Sequence, residues 1–315
     1  MINRYDFEKL SRETGFNPVQ IEKVCRISDI LAEISNVPFM RKRLSLYGGA
    51  ALAFIHFDAV ERLSVDLDFN YRIQDIEDWG TVRDTVDANL KVILGKLGYT
   101  GDDIRISPSY PLTRFTVRYA NHVGRADDIQ VETGYMRRFP VLKRDVDYDF
   151  YHIGTRNKFK VMSPVKEELF SNKWCTMLYR GSPRDLFDVY KIMGEDFNFE
   201  TFRVAAIVDS LMRGLPRLTN IDFMSVIRSI PFDTSLLNVL YAENDFDEAL
   251  VQDEVRKFSE TVFMGFSCDM KMLVDRLFDD LVFDIDLLED RGFLHESIQK
   301  HPSILWQLRQ LGDVS

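Results

Sequence analysis

Ile21, Val24, Ile27, Ile30, Leu31 and Ile34 recur at steps of three and four, the spacing of one face of an α-helix. Asn17-Pro18 ahead of them reads as an N-cap and a first-turn proline, and the helix is expected to end near Asn36. A second helix follows from Val82, Val86, Leu90, Ile93 and Leu97, stopped by Gly98. Between the two the period changes to two. Val65, Leu67 and Phe69 alternate with Ser64, Asp66 and Asp68, which predicts a half-buried strand. Upstream of it lies Gly48-Gly49, and residues 50–57 read as a helix opening just after that pair. Residues 103–107 form a short strand. Residues 112–119 alternate cleanly, with Arg114, Thr116 and Arg118 opposite Phe115, Val117 and Tyr119, and 128–132 place Asp128, Gln130 and Glu132 on one side. Ser163-Pro164 reads as the start of a helix running to about Arg180 and ended by Gly181. Ser182-Pro183 begins another, with Ser182 and Asp185 at capping-box spacing. Beyond Gly194 only helical patterns remain, over 202–212, 221–230, 236–241, 249–263, 272–288 and 304–311. The expected class is therefore α+β, with a mixed sheet flanked by helices in residues 1–195 and a mostly helical C-terminal domain in residues 196–315.

The strand over 64–69 carries the chemistry. Residues i and i+2 of a strand share a face, so Asp66 and Asp68 project the same way from a rigid element. Two adjacent carboxylates stay ionised together most easily with a cation between them, and Mg²⁺ typically takes one or two carboxylates plus substrate phosphates. Gly48-Gly49 offers backbone that can approach a phosphate, and the helix behind it favours anions at its N-terminus. Simpler roles stay open: a turn for the glycines, a wet edge for the aspartates, a local cap for Ser64. Glu132 becomes a third carboxylate of the site if its strand lies beside the Asp-x-Asp strand. Lys166, Lys173 and Arg180, seven residues apart, share a helix face. Asp185 reads as a helix cap, and Arg184 and Asp188 either pair at i,i+4 or leave Asp188 facing the cleft. A glycine cradle, paired aspartates and a helix-borne lysine together suit phosphoryl or nucleotidyl transfer.

Composition narrows the classes. With 45% hydrophobic and 29% charged residues the 315-residue chain is of globular type. No apolar run is long enough to span a membrane and the first residues lack a secretory h-region. The three scattered cysteines fit reduced thiols, so a cytoplasmic location is expected. The net charge of −10 is local: residues 241–290 hold 15 Asp and Glu against 4 Lys and Arg, and the remainder is nearly neutral. Basic clusters at Arg137-Arg138, Lys143-Arg144 and 156–160 are solvated by default, although their place after the aspartates makes a polyanion track plausible.

Taken in order, Gly48-Gly49, Arg62-x-Ser64-x-Asp66-x-Asp68-Phe69, the strand acid Glu132, Lys173 to Arg180 and Arg184-Asp185-x-x-Asp188 resemble the signature of the AbiEii/AbiGii toxin family. Its members are minimal nucleotidyltransferases of the DNA polymerase β-like superfamily, and the MenT toxins are similar. The resemblance covers about residues 40–195. It implies that Gly48, Gly49 and Ser64 hold phosphates, with Lys173, Arg180 and Arg184 also on the nucleotide. It implies Asp66, Asp68 and Glu132 as ligands of Mg²⁺ or Mn²⁺, Lys173 on the triphosphate, and Asp188 organising the cleft or deprotonating an acceptor. The implied reaction moves NMP from an NTP to an acceptor and releases pyrophosphate. For related toxins that acceptor is the 3′ end of tRNA, and an AbiEi-like antitoxin is the implied partner. Other readings are a nucleotidyltransferase acting on a protein or small molecule, and a non-catalytic NTP-binding regulator.

Overall fold

Local capping sets the first helices in place. Asp6 accepts from Lys9 N ahead of α1 (Phe7–Thr14), which ends at Gly15 with φ +72°. Asn17 accepts from Val19 N ahead of α2 (Pro18–Ser35). The computed structural model describes residues 5–73, 78–109, 111–214, 216–242, 247–288 and 291–313. By packing, the chain forms two units: Met1–Arg138 with Asp145–Ser163 and Asn238–Asn244, and Phe139–Arg144 with Pro164–Leu237 and Asp245–Ser315.

In the first unit, α3 (Pro38–Arg41) leads to β1 (Leu44–Tyr47), then α4 (Gly48–Ala51), which continues as a π-helical turn over Leu52–His56. The strand β2 (Asp66–Tyr71) precedes α5 (Trp79–Lys96), and β3 (Ile104–Ser109), β4 (Leu112–Ala120) and β5 (Ala126–Gly134) follow. Five strands form one sheet in the order β1-β2-β5-β4-β3. β2 and β5 run parallel and the other neighbours antiparallel, so the sheet is mixed as expected. Its apolar face presents Leu67, Phe69, Tyr71, Phe115, Val117, Ile129 and Val131, all buried. Against that side α2 lies on β5 and α5 on α2. Alternation then forces Asp66, Asp68, Arg114, Thr116, Arg118, Gln130 and Glu132 onto the other face, where each is half-buried or exposed.

Two strands were not expected. β6 (Asp145–Tyr151) and β7 (Lys158–Pro164) form a separate two-stranded ladder. Ser163-Pro164 thus ends a strand instead of opening a helix, and Ser163 Oγ donates to Leu46 O across 2.9 Å. A segment from far along the chain completes this unit. Leu63 N donates to Val239 O at 2.8 Å and Tyr241 N to Glu61 O at 2.9 Å, with a bridge between Arg62 and Leu240. Ala242 N reaches Gly15 O, and the Tyr241 ring lies edge-on to Phe16. The helix expected over 236–241 is therefore cut short: it ends at Leu237, and Leu63, Arg62 and Glu61 pair with the residues after it.

The second unit is helical, with α6 (Lys166–Arg180), α7 (Pro183–Ile192), α8 (Phe199–Arg213), α9 (Phe223–Arg228), α10 (Thr234–Leu237), α11 (Glu248–Met264), α12 (Cys268–Asp279) and α13 (Pro302–Gly312). Trp174 is its buried centre, ringed by Phe202, Phe223 and Phe266 at centroid distances of 6.2–6.4 Å, with its Nε1 donating to Ser259 Oγ. The helix pattern over 272–288 breaks at Leu281, whose φ is +56°. The division expected at residue 195 grouped α6 and α7 with the sheet. By packing both belong with the C-terminal helices, because their apolar sides face α8, α9 and α11.

Candidate active site

The sheet register gathers the candidate residues of the first unit. β1 ends at Tyr47, the pairing partner of Asp68, so the chain turns at Gly48 directly beside that aspartate. Gly48 has φ +69°, and a Cβ there would collide with Asp68 Oδ2. Only glycine meets both conditions. At Gly49 a Cβ would stand 2.6 Å from Arg62 Nη2 and 2.8 Å from Ser64 Oγ. The helix starts at Gly48 itself, so both glycines lie in its first turn. Gly48, Gly49, Arg62, Ser64 and Asp68 are thus gathered into one cluster in which Arg62 and Ser64 are buried. Arg62 Nη1 donates to Leu63 O at 2.8 Å.

Asp66 and Asp68 share the polar face of β2 and are both half-buried. β5 does lie beside β2, and Glu132 is the pairing partner of Asp68. Its carboxylate, however, accepts from Arg114 Nε at 2.5 Å, across the next strand. Among the described residues no group of three or more His, Cys, Asp or Glu side chains is gathered closely enough to hold a metal ion. The donor set that fits Mg²⁺ or Mn²⁺ is the Asp66–Asp68 pair, two hard carboxylates with a side-chain-free glycine beside one of them.

The second unit holds the other predicted residues. Lys173 is 6% exposed, and its Nζ donates to Asp185 Oδ1 at 3.0 Å and pairs with Asp188 Oδ2 at 3.1 Å. Arg180, the last residue of α6, donates to Asp185 through Nε and Nη2, each at 2.8 Å. Asp185 is fully buried, so its carboxylate is shared by two cations. This corrects its reading as a cap: the Ser182 side chain makes no capping bond, and Asp185 turns to Lys173 and Arg180 instead. Asp188 takes Lys173 as partner, and Arg184 is half-buried at the start of α7.

Burial alone would raise the Asp185 carboxyl, but the charges and hydrogen bonds of Lys173 and Arg180 outweigh it and hold the group below the ordinary carboxylate range. A group depressed in the folded state contributes its full stability above its unfolded value and loses it as pH falls through the folded one. Asp185→Asn is accordingly expected to cost about 3 kcal/mol near neutrality, since breaking a buried pair is expensive and Asp188 still holds Lys173. Thermal melts of the two proteins should converge as pH drops below about 4, the unperturbed carboxyl value. A neutral-pH loss nearer 1 kcal/mol is what a helix cap alone would give.

Comparison with known proteins decides the family. Residues 29–268 match the family model described as the nucleotidyl transferase AbiEii toxin of type IV toxin–antitoxin systems. The chain belongs to the AbiEii family. Of solved structures, it is similar to MenT4, a nucleotidyltransferase toxin of Mycobacterium tuberculosis H37Rv, at 14% identity and a TM-score of 0.62, covering 95% of this chain and 99% of that one. The two share a fold, the polymerase β-like nucleotidyltransferase fold. A nucleotidyltransferase-like protein of Paracoccidioides brasiliensis matches at 15% identity over 55% of this chain and 76% of its own, with a TM-score of 0.33, too low to carry weight. None of the curated protein sequences compared with the chain matches it.

Within this AbiEii enzyme, sequence reasoning passed over three participants. Arg62 belonged to the quoted signature but received no role, and its proximity to Gly49 shows only in three dimensions. Arg114 was seen on the polar side of its strand, but not as the partner of Glu132. Arg72 closes the far end of β2, donating to Tyr47 Oη at 2.7 Å, to Asp145 and to Arg137 O, which fixes the strand bearing both aspartates. Among the described residues no helix is long and apolar enough to cross a membrane.

Proposed function

We propose that this AbiEii-family nucleotidyltransferase moves NMP from an NTP to the 3′ end of tRNA, in dependence on Mg²⁺ or Mn²⁺. The observation that carries the reading is the Asp66–Asp68 pair on one strand face, with Gly48 pressed against Asp68. The acceptor hydroxyl oxygen bonds to the α-phosphorus, the bond from that phosphorus to the bridging oxygen breaks, and pyrophosphate leaves; the hydroxyl proton is released to solvent. A bound divalent ion supplies charge neutralisation at the phosphates. Asp66 and Asp68 hold it. The Gly48-Gly49 backbone and the Ser64 hydroxyl accommodate the phosphates, with the Arg62 cation beside them. Lys173 offsets charge on the leaving group, held in place by Asp185 and Asp188, while Arg180 and Arg184 add positive charge for the nucleotide. Glu132, the register partner of Asp68, would be a further carboxylate for the ion and is engaged by Arg114 on the next strand. The toxin–antitoxin family context supports a cognate antitoxin of AbiEi type, and action in the cytoplasm, where tRNA is found.

The test is incubation of the purified protein with each of four α-labelled NTPs, total RNA and a divalent cation. Label is expected on RNA of tRNA size and to vanish with a chelator. Label on protein or on a small molecule instead would replace the acceptor, and NTP binding without any transfer would make the chain a regulator.

A further inference from the structure

The pairing registers lay the polar face of the sheet out in rows. One row reads Asp68, Glu132, Arg114 and Ser107 across β2, β5, β4 and β3; the next reads Asp66, Gln130, Thr116 and Arg105. A third places Asp128 opposite Arg118. The face changes character along these rows. It is acidic at β2, mixed at β5 and basic at β4 and β3, where Arg105, Arg114 and Arg118 are all exposed. Arg114 is engaged by Glu132, whereas Arg105 and Arg118 form no ion pair among the described residues. Asp128 is half-buried and does not pair with Arg118. Of the basic residues that first suggested a polyanion track, Lys160 pairs with Asp149 at 2.9 Å and Arg156 pairs with Glu13.

We propose that the open face of β3 and β4 is the docking surface for the phosphodiester backbone of the acceptor RNA, with Arg105 and Arg118 as its phosphate contacts and Arg114, held by Glu132, in the row that starts at Asp68. This rests on the reading of the protein as an RNA nucleotidyltransferase and names the surface its acceptor occupies. Neighbouring strands are about 4.8 Å apart, so β4 and β3 lie about 10 and 14 Å from the aspartate strand. That span equals about three to four stacked nucleotides at 3.4 Å each. An RNA whose terminal hydroxyl is at Asp66 and Asp68 therefore carries its next phosphates across the arginines. The rows hold no aromatic side chain, and Thr116, Gln130 and Ser107 supply only small polar groups. Such a surface grips backbone and leaves bases unread, so sequence preference must come from elsewhere.

The full-length protein is titrated against fluorescently labelled total tRNA, and the slope of log Kd against log salt is measured from about 50 to 200 mM. Arg105→Gln combined with Arg118→Gln is expected to weaken binding about 10-fold and to lower the slope by about 1.4, the loss of two phosphate contacts to a single strand. Each single variant should lose about half of that slope, and Arg118→Lys should restore its own share. Lys160→Gln is expected to keep the wild-type slope. A double variant with wild-type affinity and slope overturns the docking surface and leaves the transferase reading intact. A wild-type protein that neither binds nor labels tRNA overturns the RNA reading itself, and this surface with it.

Discussion

Asp66→Asn and Asp68→Asn proteins are expected to transfer nucleotide at less than about one-thousandth of the wild-type rate. Each removes one of two carboxylate charges that hold the cation, and the charge stabilisation at stake is several kcal/mol, with 1.4 kcal/mol per factor of ten. Both side chains are half-buried on a polar strand face, and asparagine is nearly isosteric, so thermal melts should stay close to wild type. Mn²⁺ titration by calorimetry supplies a readout independent of turnover, and both variants should bind the ion more weakly. Unfolding in place of inactivity would assign the pair to structure. Retained, metal-dependent transfer in both variants would remove the aspartates from the chemistry.

Lys173→Ala is expected to lose both activity and stability. Turnover should fall about 10³-fold, the upper end of what removing one charge-stabilising donor costs. The lysine is also the partner of two buried carboxylates, so the variant leaves Asp188 without its ammonium and Asp185 dependent on Arg180 alone. The fold should weaken by about 3–5 kcal/mol. Assays well below the melting temperature of the variant separate the two effects. Asp185→Asn provides the contrast, because it shares the loss of stability while keeping the lysine. Its turnover should drop no more than about tenfold if Asp185 acts by positioning Lys173. Equal losses in the two proteins would move Asp185 from positioning into the reaction.

The site was legible where local periodicity governs it. Strict alternation in β2, β4 and β5 sent Asp66, Asp68 and Glu132 to one face, because a buried apolar side fixes the other side by default. The glycine pair was legible for a similar reason, since few residues tolerate the turn at Gly48. The failures were all long-range. Asp185 has capping-box spacing, but its carboxylate goes to two cations and no side chain caps the helix. The alternation of Val146, Tyr148 and Phe150 in β6 was present, yet Phe150 alone of the strand is buried, so the hydrophobic signal was faint. Glu132 was placed correctly by register, but nothing nearby in sequence announces its capture by Arg114, 18 residues earlier. The pattern over 236–241 reads as helix because the partners at 61–63 lie 176–180 positions upstream, and main-chain pairing leaves no mark on side-chain pattern.

That last pairing has a consequence for the order of synthesis. A ribosome emits the aspartate strand early, but Leu63 and Glu61 gain their main-chain partners only when Val239 and Tyr241 emerge. Contacts of such separation raise contact order and slow folding. The nascent chain therefore passes through most of its translation with the segment leading into Asp66 still unclasped, and the clasp closes only after α6 to α10 have been made.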